Sequence, residues 1–158
     1  MSKKTYIPKP LVDIMSDYAK ENELLDWIIP GKLDWHNLSM NPAAIDLLEK
    51  NIDEIDWGRL SMNPEAIHLL EKELERDPEG KRIDWARLST NPKAIHLLKK
   101  YPKKVHYNGL SKNPHPEAVA VLEEFPEKIN WKLFSSNPGA IEVLEYFLEL
   151  FPHRINWK

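Results

Sequence analysis

The sequence predicts an all-α fold: a tandem-repeat solenoid of short helices, about five copies of a 22-residue unit, with a helix capping its N-terminal end. Three observations lead there. A phrase of the form Ile-Asp-Trp-x-x-Leu-Ser-x-Asn-Pro-x-Ala-Ile-x-Leu-Leu returns five times. Proline follows asparagine in each copy, which places it at the first position of a helix, where its missing amide hydrogen costs nothing. The helices so marked are too short to hold together alone, so their apolar residues need neighbouring copies to cover them.

The aromatic position of the phrase is Trp35, Trp57, Trp85, Tyr107, Trp131 and Trp157, at spacings of 22, 28, 22, 24 and 26. The excess over 22 is local. Six extra residues follow Leu70, two fall at His115-Pro116, and four extend the last helix after Leu144. The copies are therefore 33–54, 55–82, 83–104, 105–128 and 129–154, with a stub at 155–158. Residues 1–32 form a capping helix and linker, and the whole is read as one domain.

The elements follow in order. Residues 10–25 carry Pro10, Leu11, Ile14, Met15, Tyr18 and Leu25, an amphipathic helix that covers the first copy. Within a copy, the acid of Ile83-Asp84-Trp85 caps a helix of one or two turns, with Ile83 and Leu88 at the spacing of a hydrophobic staple. Asn91 then caps a second helix that starts at Pro92 and shows Ala94, Ile95, Leu97 and Leu98 on one face. That helix ends before Pro102, as its counterparts end before Pro126 and Pro152. The helices fall near 34–40, 42–50, 56–62, 64–75, 84–90, 92–100, 106–112, 116–125, 130–136 and 138–151. The tryptophan, isoleucine and leucine positions are expected to form ladders from copy to copy. The cap is always Asn (Asn41, Asn63, Asn91, Asn113 and Asn137), never Asp or Ser. A carboxylate caps as well but cannot donate, so the amide NH₂ is expected to reach a carbonyl of the adjacent copy. The alternative fold is a leucine-rich-repeat-like α/β solenoid, suggested by Leu88-x-x-Asn91 and by the period.

Composition bounds the function. The chain has 158 residues, a net charge of -3, no cysteine and only five glycines. Disulfides, thiolate metal sites and cysteine nucleophiles are excluded. No glycine-rich phosphate loop, Gly-x-Ser-x-Gly or His-Glu-x-x-His occurs, and the recurring acids Asp34, Asp56 and Asp84 are explained as caps, so a catalytic role is not expected. No cofactor is expected either. No apolar run suits a signal peptide or membrane span, and the expectation is a soluble cytoplasmic protein without membrane contact.

The block Leu60-Ser61-Met62-Asn63-Pro64-Glu65-Ala66-Ile67 and its counterparts resemble the short tandem repeats of uncharacterised proteins encoded by giant double-stranded DNA viruses. The resemblance covers about residues 33–158. Copy four departs from it most, with His106-Tyr107 for Asp-Trp and Val119 for Ile; copy five has Asn130 for Asp and Phe134 for Leu. It implies a repeat fold, a viral origin and work in the host cytoplasm, and it supplies no activity. The regularity equally suits an engineered chain.

Residues present in every copy serve the fold, so function is sought at positions that vary. The expected function is a non-catalytic scaffold for an unidentified protein partner, through Arg59, Glu65, His68, Arg87, Lys93, His96, Lys99 and Lys100. His68 and His96 should be neighbours on adjacent copies, but a third metal ligand at fixed spacing is missing. Charge is uneven: copy one sums to -4 and copy three to +5. The alternative function is weak anion or nucleic-acid binding through Lys93, Lys99, Lys100, Lys103 and Lys104, against which the negative total charge argues. Self-association is a further expectation, through Phe147, Phe151, Ile155 and Trp157 at the apolar C-terminal end.

Overall fold

The structure is a computed structural model and describes residues 30–150. The predicted capping helix at 10–25 lies outside the described residues. So do Phe151, Ile155 and Trp157 and the side chain of Phe147, on which the self-association expectation falls. The chain divides into two compact units at Asp34/Trp35. Of the first, residues 30–34 are described, and they include a 3₁₀ turn, Pro30–Lys32.

The second unit is helical, and the described residues contain no strand. This corrects the leucine-rich-repeat alternative. The reason is local: Asn91 is extended (φ -79°, ψ 117°), but it is one residue long, because Pro92 follows it and opens a helical turn. The helices are α1 Trp35–Met40, α2 Ile45–Lys50, α3 Trp57–Leu60, α4 Ile67–Arg76, α5 Trp85–Leu88, α6 Ile95–Lys100, α7 Tyr107–Leu110, α8 Pro116–Glu124, α9 Trp131–Phe134 and α10 Ile141–Leu150.

The caps explain the boundaries. The carboxylates of Asp56 and Asp84 accept from the amides of Arg59 and Arg87, and Asn130 does the same for Leu133. His106 makes no such bond, and α7 has no side-chain cap. The second helix of each copy is not the single segment the sequence predicts, except in copy four. Pro42–Ala44, Pro64–Ala66, Pro92–Ala94 and Pro138–Ala140 are 3₁₀ turns, and the α-helix begins one residue later. The Asn oxygen takes the amide two residues on, and its backbone carbonyl takes the alanine amide three on, which tightens the turn. In copy four, Pro116 restarts the helix. Asn113 accepts from the amide of His115, and His115 Nδ1 then accepts from the amide of Glu117. Further 3₁₀ turns, Ile52–Glu54, Pro102–Lys104 and Pro126–Lys128, join the copies. These joining turns fall between the helices that the sequence predicts.

The core consists of one residue from each recurring position. Leu60, Leu88, Leu110 and Phe134 come from the short helices, Leu48, Leu70, Leu98, Leu122 and Leu144 from the longer ones, and the recurring alanines pack between them. Trp85 is buried at 8% exposure, while Trp35, Trp57, Tyr107 and Trp131 pack against the core half-buried. The aromatic ladder is therefore an edge of the core rather than its centre. A cation from the end of the copy stands over three of these rings: Arg82 over Trp57, Lys104 over Trp85 and Lys128 over Tyr107.

Polar residues join the copies. Asn91 Nδ2 donates to the carbonyls of Ser61 (3.2 Å) and Asn63 (3.1 Å) in the preceding copy. Asn113 reaches Ser89 and Asn91, and Asn137 reaches Ser111 and Asn113, in the same way. The expected donation by the cap amide is thus present, with two acceptors each for Asn91, Asn113 and Asn137 and one, the Ser39 carbonyl, for Asn63. The serine has its own part. Ser39, Ser61, Ser89 and Ser111 are each 0% exposed, each donates to the carbonyl four residues back, and each accepts from the first capping residue's amide in the next copy. The recurrence of this serine in every copy is the sequence signal for it.

The six-residue insertion extends α4. Glu73, 4% exposed, is held by Arg76 (2.6 Å), and Gly80 turns the chain back at φ 60° beneath the Trp85 ring, whose Nε1 donates to the Gly80 carbonyl. A Cβ at Gly80 would lie 2.8 Å from that ring, so both its conformation and its space require glycine.

Candidate functional site

Four of the eight candidate residues lie together. Glu65, His68, Lys93 and His96 line an open groove of about 820 Å³ across copies two to four, with Glu71, His115 and Glu117. The turns Pro64–Ala66 and Pro92–Ala94 and the first turns of α4 and α6 place them there. The groove floor is apolar at Ile67 and Ile95, and its walls are charged.

Those charges are paired across copies. Lys93 Nζ donates to Glu65 at 2.7 Å, His96 Nε2 lies 2.9 Å from Glu71, and His68 Nε2 lies 2.8 Å from Glu49. Lys99 Nζ meets Glu117 at 2.6 Å. The hydrogen bond from His68 holds the Glu49 carboxyl below the usual carboxylate range, and that from Lys99 does the same for Glu117. On one further junction, His36 Nδ1 lies 2.6 Å from Asp56. The Asp56 carboxyl is held low first by the Arg59 amide and then by His36. Most of these pairs are exposed, so each contributes little to stability, and the copies gain alignment from them more than strength.

Glu49, Glu71, His115 and Glu117 were missed in the sequence. The signal for the first two was available. The residue after Leu-Leu in one copy, Glu49 or Glu71, faces the residue before Leu-Leu in the next, His68 or His96. The rule breaks at copy four, where Ala120 replaces the histidine and the His115-Pro116 insertion presents Glu117 to Lys99 instead.

The other candidates lie elsewhere. Arg87 pairs with its own cap Asp84 (3.4 Å) and borders a separate shallow depression of about 500 Å³ with Met62 and Asn108. Arg59 is half-buried, with Nη1 3.6 Å from Met40 Sδ. Lys100 stands over the Tyr101 ring at 5.6 Å. The basic third copy is therefore partly neutralised from within. Lys93 and Lys99 have carboxylate partners, Lys100 and Lys104 lie over aromatic rings, and Lys103 is exposed. His68 and His96 share the groove, but among the described residues no group of three or more His, Asp or Glu is placed to hold a metal ion. Among the described residues, no helix is long and apolar enough to cross a membrane.

No protein-family model matches the chain, and no curated protein sequence or solved structure matches it.

Proposed function

We propose that the chain is a non-catalytic solenoid scaffold whose groove across copies two to four receives a segment of a protein partner. One observation carries this reading. The residues common to all copies are used up inside, in the asparagine and serine bonds between copies, while the varied residues Glu65, His68, Lys93 and His96 come together on one open face. A surface built this way can change its specificity without disturbing what joins the copies. The carboxylates Glu65, Glu71 and Glu117, the Lys93 ammonium and the three histidines of the lining suit a polar, extended segment of mixed charge, which would exchange partners with the existing pairs.

The test is capture of partners from the native host with the parent chain and with a Glu65→Lys, Lys93→Glu double variant, which swaps the groove's charges and keeps the pair. Loss of a partner in the variant, with the melting temperature unchanged, supports the reading. Retention of every partner overturns it. Nucleic-acid binding through the third copy is the weaker alternative, because four of its five lysines already contact carboxylates or rings. A salt-dependent shift of single-stranded DNA or RNA, lost in a Lys103→Glu, Lys104→Glu variant, would favour it instead.

A further inference from the structure

A second cavity differs from the groove in kind. It is a half-enclosed crevice of about 340 Å³ between copies three and four, walled by Ile95, Leu98, Val105, Tyr107, Val121 and Phe125. Its origin can be read from the repeat. Copy four has Val105 where copy three has Ile83, Tyr107 where it has Trp85, and Val121 where it has Leu97. Every one of these is the smaller residue. Ile83, Trp85 and Leu97 are buried, whereas Val105, Tyr107 and Val121 are half-buried and Phe125 is exposed. In copy three the Trp85 ring lies 5.4 Å from that of Tyr101; in copy four Tyr107 and Phe125 stand 6.4 Å apart, edge to face. Less side-chain volume stands at these three positions than in copy three, where the Gly80 turn also covers the Trp85 ring.

We propose that this crevice binds a small uncharged aromatic molecule bearing one oxygen acceptor. The volume falls at the lower end of the range for small-molecule sites, about 300–1,000 Å³. One wall is aromatic and the rest aliphatic, which suits a ring packed edge-on or offset. The two charged side chains at the lining, Lys99 and Glu124, are opposite in sign and favour no net charge in the occupant. The Tyr107 hydroxyl accepts from Lys128 Nζ at 3.3 Å and keeps its own proton to donate, which selects a ligand oxygen. This site is independent of the polar groove and does not rest on the partner-binding reading.

The test uses the full chain with labelled Ile, Leu and Val methyl groups, titrated with p-cresol to millimolar concentration. Saturable shifts confined to Ile95, Leu98, Val105, Leu110 and Val121 are expected. Restoring the residues of copy three with Val105→Ile and Val121→Leu should weaken binding by about tenfold or more. Should that double variant lose its dispersed methyl spectrum, Leu110→Phe gives the same readout, since copy five carries Phe134 at that position. Three results would overturn the proposal. They are no saturable shift in the parent, equal binding in the filled variant, or shifts spread over the chain. A filled variant that melts higher, with no cresol binding in the parent, would identify the crevice as a packing defect.

Discussion

Asn91 is 1% exposed and uses its side chain three times, accepting from Lys93 and donating to Ser61 and Asn63. As a cap alone it would contribute about 1 kcal/mol. With two buried carbonyls also depending on it, Asn91→Ala is expected to cost about 3 kcal/mol, read from denaturant unfolding. Asn91→Asp should be at least as damaging at pH 7, since a carboxylate would face two carbonyl oxygens. An Asn91→Asp chain as stable as the parent would remove the donating role. Asn41, which is exposed, should tolerate the same change at smaller cost. Ser89 accepts from the His106 amide and donates to Trp85, so Ser89→Ala leaves a partly buried amide without its partner and is expected to cost about 2 kcal/mol. The carboxyls of Asp56 and Glu49 are held low in the folded chain, so the stability they add is present above their ordinary range near pH 4 and is lost as pH falls through the folded value. Thermal melting from pH 7 down to pH 2 should show Asp56→Asn losing less stability on acidification than the parent.

At the scale of the element, each short helix is a single turn or little more; α3, α5 and α9 hold their shape through a side-chain cap and contact with the copy before, and α7 through that contact without the cap. Gly109 shows how close that contact is. A Cβ there would lie 2.5 Å from the Ala86 carbonyl oxygen and 2.8 Å from Ser89 Cβ, so α7 approaches the α5 segment backbone to backbone. Gly109→Ala should therefore push copies three and four apart and cost about 1–3 kcal/mol, despite alanine's higher helix propensity. Equal or higher stability in a thermal melt would show that the approach is looser. Trp85 closes the junction of copies two and three over the Gly80 turn, and Trp85→Ala is expected to cost about 3–5 kcal/mol. The same change at half-buried Trp57 should cost less, because less of that ring leaves water on folding.

For the whole molecule, the bonds between copies make cooperative unfolding the expected behaviour, with a gradient. Amides of the middle copies, such as Asp84 and His106, donate to a neighbour's serine and should exchange slowest, while unbonded amides of exposed turns exchange fast. Hydrogen exchange with mass readout checks this; uniform protection would speak against a chain joined copy to copy. Light scattering on the full chain tests the separate expectation of self-association, since pairing would give a multiple of 18.5 kDa.

The sequence by itself determined the helical class, the helix starts and the core positions, because caps, proline and apolar spacing act over four or five residues and are written in order along the chain. It also pointed to the asparagine amide as a donor, since only that side chain both caps and donates. What it could not supply was anything dependent on the offset between copies. The serine's bond to the next copy, the pairing of Glu71 with His96, the split of the candidate residues among several faces, and the crevice beside Tyr107 each depend on residues about twenty positions apart being brought within a few ångströms. Packing of the leucine and alanine layer sets that offset. An insertion as small as His115-Pro116 changes which side chains meet, so these features were decided only when the copies were placed against one another.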